Sequence, residues 1–162
     1  MPEIHIAPPM FRQLMGRFAT GVTVLTARDQ QGQPVGMTAS SLASVSLAPP
    51  LVSVCIELSA TMHDTLMEAN HFVVNVLAED QEELSRRFAQ PQAIQDFAGV
   101  GWVDGDVGVP RLQGCVAHIE CAHEATYPGG DHTILLGRVV SGAVAEGRPL
   151  VYYRGGYSGL GQ

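Results

Sequence analysis

Two long apolar runs separated by one tight polar turn constrain this chain more than any other feature. Cys115, Ala117, Ile119 and Cys121 alternate with Val116, His118, Glu120 and Ala122, which is the period of a half-buried strand. Thr133 to Ala145 is a second β-rich run, entered through Gly129-Gly130-Asp131-His132. The two glycines supply the positive φ or close approach that a tight turn demands. The pattern predicts an antiparallel pair, with His132 held rigidly at a strand mouth rather than on a free loop.

The rest of the chain reads as further short elements. Phe11, Leu14, Met15 and Phe18 fall at i, i+3, i+4 and i+7, so an amphipathic helix is expected after the Pro8-Pro9 leader, ending at Gly21. Val22 to Ala27 and Val35 to Ala39 flank the polar stretch Asp29 to Pro34 and predict a hairpin. Ser44 to Leu47 alternates briefly before Ala48-Pro49-Pro50, and Leu51 to Ile56 reads as a central strand, apolar on both faces. Thr61-Met62-His63-Asp64 and Asp80-Gln81-Glu82-Glu83 have capping-box spacing, each opening a short helix. Between those helices Phe72 to Val76 predicts a strand, and Gly99 to Pro110 reads mostly as loop.

About six or seven strands with three short helices and hairpin-length connections indicate an α+β, mainly β barrel rather than alternating βαβ units. One domain is expected over 10–162, behind a leader at 1–9. Gly99-Val100-Gly101-Trp102-Val103-Asp104 lacks the third glycine of a dinucleotide fingerprint and follows no strand, and no phosphate-loop motif is present. A nucleotide or flavin must therefore bind in another way.

Composition narrows the partners. The net charge is −7, and all nine basic residues are arginine. That balance argues against nucleic acid or an anionic membrane, and the absence of lysine excludes Schiff-base chemistry. The N-terminus lacks the pattern of a signal peptide and no apolar run reaches spanning length, so a cytoplasmic protein is expected. A hydrophobic share of 46% points to a further buried surface, expected to be a homodimer interface. Cys55, Cys115 and Cys121 sit in strand-like runs, with neither disulfide nor zinc spacing, and are expected as buried free thiols. No metal site is expected, because His118, Cys121 and His123 lack a ligand pattern.

Four segments can carry chemistry. Thr38-Ala39-Ser40-Ser41 leaves a strand with three hydroxyls, suited to a ring edge or a polyol chain, or else to a solvated loop. Ser53-Val54-Cys55 offers backbone groups to a planar ring, although an ordinary core strand looks the same. Ser59-Ala60-Thr61 lies between a strand and a helix, where free amides suit a phosphate, or Thr61 simply caps the helix. His132 is either a ligand contact or a scaffold residue paired with Asp131.

These segments resemble, in order along nearly the whole chain, the short-chain flavin reductases of two-component monooxygenases. The resemblance runs through Phe18 to Val24, Gly36 to Ser41, Ser44 to Val52, Phe72 to Leu77, Leu84 to Ala89, Gly130 to Thr133 and Pro149 to Tyr153. It implies an FMN-binding split barrel, an antiparallel Greek-key-like barrel with short flanking helices. It also implies a homodimer that reduces FMN or FAD with NADH or NADPH, for a separate flavin-dependent monooxygenase component. Carried over by position, Thr38, Ala39, Ser40 and Ser41 meet the flavin ring and ribityl chain, Ser53, Val54 and Cys55 the ring edge, and Ser59 and Thr61 the phosphate. His132, with Gly130 and Asp131 shaping its turn, stands beside the nicotinamide; Arg87, Phe88 and Tyr157 match flavin or nucleotide contacts.

Two rival readings remain at this stage. One is a flavin-binding electron-transfer or carrier protein that retains its flavin. The other is an oxidase on a related split barrel acting on a pyridoxine-type phosphate, which would need more basic phosphate ligands than this chain offers.

Overall fold

A computed structural model describes residues 4–93 and 95–161, so positions 1–3 of the expected leader lie outside the described residues. Helix α1 (Pro8–Gly16) opens the described chain, with Pro8 and Pro9 in its first turn. Proline is tolerated there because that turn's amides have no partner inside the helix.

Seven strands form the main sheet: β2 (Thr23–Arg28), β3 (Pro34–Ala39), β4 (Ala43–Leu47), β5 (Pro50–Glu57), β6 (His71–Val76), β9 (Ala117–Gly129) and β10 (His132–Val144). Their order is β3-β2-β6-β9-β10-β5-β4, and every pairing is antiparallel. Two small sheets flank it. One joins β1 (Thr20–Gly21), β11 (Val151–Tyr153) and β12 (Gly156–Ser158); the other joins β7 (Trp102–Asp104) and β8 (Pro110–Leu112). Helix α2 (His63–Glu68) follows β5 and α3 (Glu82–Phe88) follows β6. The mainly β class holds, but β3 and β4 end the ladder without pairing to each other, so hydrogen bonding does not close the sheet.

The long hairpin forms as its alternation demands, with Gly129 opposite His132 and Ala117 opposite Val144. Gly130 adopts a φ of 69° at its tip, the left-handed region that favours glycine. The first predicted hairpin also forms, and the Asp29 carboxylate accepts from the amides of Gln31 and Gln33 across its turn.

Burial of β2 on both faces divides the interior in two. Leu25 and Ala27 join a cluster with Val54, Ile56, Phe72 and Leu135, while Val22 and Val24 join Leu77, Phe88, Leu112 and Leu150. Asn75, fully buried, crosses between elements: its amide donates to Val24 O (2.8 Å) and Thr26 Oγ1 (3.0 Å), and its Oδ1 accepts from Leu112 N (2.9 Å). Thr26 Oγ1 in turn donates to Pro110 O at 2.6 Å. Every buried polar atom in this small network is satisfied, so it locks β8 against β2 and β6.

Several expectations are corrected. The Gly99 to Pro110 stretch is mostly loop as expected, but it carries the short strand β7 and enters β8 at Pro110, where Asn75 and Thr26 anchor β8. Leu51 to Ile56 is not central but second from the edge, and it alternates, with Val52, Val54 and Ile56 buried and the residues between them half-buried. Neither capping box forms. Met62, fully buried, precedes α2 in place of Thr61, and Gln81 precedes α3 while its side chain bonds to Ala78 N and Gln113 O. Burial of an anchor or a longer-range hydrogen bond outweighs a local cap of about 1 kcal/mol. Helix α1 ends at Gly16, capped by Arg17, rather than at Gly21, which instead pairs with Val151. The α1 stripe is not core either: Phe11, Leu14, Met15 and Phe18 are each more than half exposed. Cys115 and Cys121 are buried free thiols, whereas Cys55 is only half-buried.

Gly137 marks the tightest packing of β10. A Cβ placed there would stand 2.6 Å from the Phe72 ring and 2.9 Å from Cys121 Cβ, both in the core. Gly137→Ala should therefore destabilise the fold by about 1–3 kcal/mol through overpacking, seen as a lower urea midpoint at unchanged slope.

Candidate functional site

The sheet geometry gathers three of the four predicted segments around one cleft. A hollow of about 340 Å³ is lined by Met37 and Thr38 of β3, Glu57, Ser59 and Thr61 after β5, and Phe88 to Pro91 after α3. A smaller one of about 210 Å³ continues past Thr38 to Ala39 and Ser40, and on to Ser85, Tyr152 and Tyr157. Thr38 lines both, so the cleft runs along the whole exit of β3.

Local bonding explains why the cleft stays open. The β4–β5 ladder stops at Ala43 opposite Ser53, and Ser41 Oγ takes over as acceptor for Cys55 N at 2.9 Å. One hydroxyl thus ties the 38–41 segment to β5. Thr38 Oγ1 donates to Ser85 O at 2.6 Å and fastens the same segment to α3. Phe88 packs beneath it against Gly36, where a Cβ would come within 3.0 Å of the ring. The segment is therefore braced on three sides rather than loose.

The hydroxyls of Ser40, Ser59 and Thr61 make no hydrogen bond among the described residues, and they are aligned along this cleft. A flavin presents a planar ring edge, a polyol chain and a phosphate, all of which pair with neutral donors and acceptors. The residues present fit such a group. Ser53 is half-buried on β5 and lines neither hollow; Val54 is fully buried, so only its backbone is available; Cys55 is half-buried with its amide held by Ser41.

Gly130, Asp131 and His132 line neither hollow but border the cleft. His132 is paired with Glu57 across β10 and β5, and Leu58 N donates to Asp131 O at 2.9 Å. The Asp131 carboxylate accepts from His132 Nδ1 at 2.7 Å. The His132 ring, first by this bond and then by its charge, holds the Asp131 carboxyl below the usual carboxylate range.

The three less specific residues differ in role. Arg87 spends its guanidinium on Ala98 O (2.6 Å) and on the Asp96 carboxylate (3.9 Å), Phe88 is buried as the floor, and the Tyr157 hydroxyl meets Ser85 Oγ at 2.8 Å. Sequence reasoning missed three neighbours. Glu57 borders the cleft, and Tyr152 stacks edge-on against Tyr157 at 5.3 Å. His63 Nε2 bonds Thr133 Oγ1 at 2.8 Å, joining α2 to the residue after His132. The position of His63 inside the T-x-x-D spacing was a signal read only as a cap.

Other chemistries find little support. Burial pushes the Cys115 thiol up to about 11 and Cys121 to about 12, so both stay protonated near neutral pH. Among the described residues no group of three or more His, Cys, Asp or Glu is arranged to hold a metal, and no helix is long and apolar enough to cross a membrane.

A mainly β chain with this cleft belongs to a recognised class: it is a member of the flavin reductase like domain family, which matches residues 15–161. It is 42% identical over 156 residues to the reductase subunit of a flavin-dependent monooxygenase from Rhodococcus jostii, covering 96% of this chain and 79% of that protein. An FMN reductase (NADH) from Agrobacterium fabrum is 41% identical over 163 residues, covering 97% and 92%. The solved NADH:FAD oxidoreductase of Streptomyces globisporus, in complex with NAD and FAD fragments, superposes with a TM-score of 0.88 at 39% identity over 96% of both chains.

The Asp131–His132 contact is directly measurable. A carboxyl-detected NMR titration should place the Asp131 midpoint below that of an ordinary aspartate, and His132→Ala should return it to the ordinary range.

Proposed function

We infer that this chain is an NAD(P)H:flavin oxidoreductase that reduces FMN or FAD and releases reduced flavin to a separate monooxygenase component. The observation that carries this reading is the family match over residues 15–161, joined to a braced cleft whose free hydroxyls suit a flavin. Relatives described as FMN reductase (NADH) and as a monooxygenase reductase subunit support the cofactors and the partner.

Residues 10–162 act as one flavin-reductase-like domain of the split-barrel type. Met37 and Ala39 of β3 and Val52 and Val54 of β5 pack on one core, which supports barrel-like curvature without a closed ladder. Exposed Val45, Leu47, Val140 and Val144 support a homodimer. The acidic balance and the absence of a long apolar helix among the described residues accord with a cytoplasmic enzyme.

When both are bound, the flavin supplies the redox chemistry by accepting a hydride from reduced nicotinamide. The side chains position. Thr38, Ala39, Ser40 and Ser41 meet the ring and ribityl chain, with the backbone of Ser53, Val54 and Cys55 at the ring edge and Ser59 and Thr61 at the phosphate. Arg87 and Phe88 act as supports, and Tyr157 closes the inner end. Asp131 accepts from His132 Nδ1, which leaves Nε2 free to face the nicotinamide carboxamide. A misplacement of about 1 Å in the reacting pair can cost on the order of a hundredfold in rate, so this orientation matters without any proton transfer.

His132→Ala should lower kcat/KM for NADH by about tenfold or more, equal to roughly 1.4 kcal/mol of transition-state binding, with flavin affinity unchanged. Unaltered steady-state kinetics would remove His132 from the site. The activity itself is tested by oxidation of NADH and NADPH at 340 nm with added FMN or FAD. Turnover that rises and saturates with free flavin is expected. No turnover by a protein that purifies yellow would favour a carrier instead.

A further inference from the structure

We propose that Glu57 is a specificity-determining residue for the flavin: its carboxylate opposes the ribityl phosphate, so the cleft holds phosphorylated flavins loosely and favours a flavin with less charge at that end. This rests on the flavin reductase reading above and concerns how strongly the site holds its ligand rather than where.

Placement of the carboxylate follows from the strand. Glu57 ends β5 where the chain runs out into Ser59-Ala60-Thr61. Val52, Val54 and Ile56 turn into the core, so alternation turns Glu57 to the opposite face. There it lines the hollow of about 340 Å³ together with Ser59 and Thr61. Its backbone is pinned, because Ala60 N donates to Glu57 O at 3.0 Å and the neighbouring Leu58 N donates to Asp131 O at 2.9 Å. The carboxylate is exposed and makes no hydrogen bond or ion pair among the described residues.

No basic group balances that charge within the cleft. Glu57 is the one charged residue among the described residues lining this hollow, and the adjoining hollow of about 210 Å³ has none. The basic side chains that border the cleft are engaged elsewhere. Arg87 holds Ala98 O and the Asp96 carboxylate, and His63 lies between Asp64 Oδ1 (2.9 Å) and Thr133 Oγ1 (2.8 Å). His132, opposite Glu57 in the register, has the Asp131 carboxylate at 2.7 Å. The chain has no lysine to add. A site that grips phosphate offers guanidinium or ammonium groups, whereas this one offers two neutral hydroxyls and a carboxylate. A phosphate monoester carries close to two negative charges above its second pKa of about 6, so FMN meets a repulsion that uncharged riboflavin does not. Weaker retention shortens residence, which suits a protein that hands its reduced flavin to another.

Flavin fluorescence on the full chain reads the affinity for FMN and for riboflavin without any turnover. Glu57→Gln should tighten FMN about three- to tenfold and shift riboflavin by less than about twofold. Glu146→Gln makes the same change in net charge beyond the end of β10 farthest from His132, and should move neither ligand. Salt supplies a readout on the wild type. Raising it from about 0.01 M to about 0.2 M shortens the Debye length several-fold, so FMN should bind more tightly, with a flatter response in Glu57→Gln. Equal shifts for FMN and riboflavin, no shift in Glu57→Gln, an equal shift in Glu146→Gln, or wild-type FMN binding that weakens with salt overturns the proposal. Tighter FMN binding by Glu57→Gln, in a chain that oxidises no NADH with any flavin, would support the role of Glu57 and count against the reductase reading alone.

Discussion

The register between β10 and β5 is the constraint on which the site depends. Pairing His132 with Glu57 brings the tip of the long hairpin to the segment where β5 runs out into Ser59 and Thr61, and the bond from Leu58 N to Asp131 O fastens the two. A slip of one residue would turn every side chain of β10 to the opposite face. It would take Leu135 out of the core and move His132 away from the cleft in the same step. Burial of Leu135 and the close approach of Gly137 to Phe72 therefore hold a functional geometry as well as a fold.

Around that register the site is built from neutral groups and fixed backbone. Ser41 replaces a missing strand partner for Cys55, and Thr38 fastens the opposite wall to α3. Bracing of this kind restricts motion of the groups that meet a planar ligand, which reduces the ordering cost of binding. Charge stands at one margin, where Glu57 and His132 meet across the β5–β10 register beside Asp131.

Much of this was legible in the sequence because period and turn chemistry are local. Residues 115–122 alternate and 133–145 form a β-rich run in plain view, the Gly130 turn declares itself, and the hydroxyl cluster at 38–41 can be read from composition. What could not be read depends on distant partners. Asn75 and Thr26 hold β8 in place from 84 and fewer residues away, so the short β7–β8 pair carries no strand signal of its own. Thr61 and Asp80 have good cap spacing, yet burial of Met62 and the bonds of the Gln81 side chain set the helix starts. The stripe on α1 has helical period, but periodicity cannot say that nothing in the same chain covers it. Arginine pairing is likewise invisible until the fold shows which carboxylates are near.

The central claim is that one braced cleft, set by the β5–β10 register, receives the flavin. A crystal structure of the chain with FMN tests it most directly. The account predicts the ring against residues 38–41 and the phosphate at Ser59 and Thr61, with His132 beside the exposed ring face. Flavin bound instead in the shallow groove between the far ends of β9 and β10, near Ile119 and Val140, would contradict it.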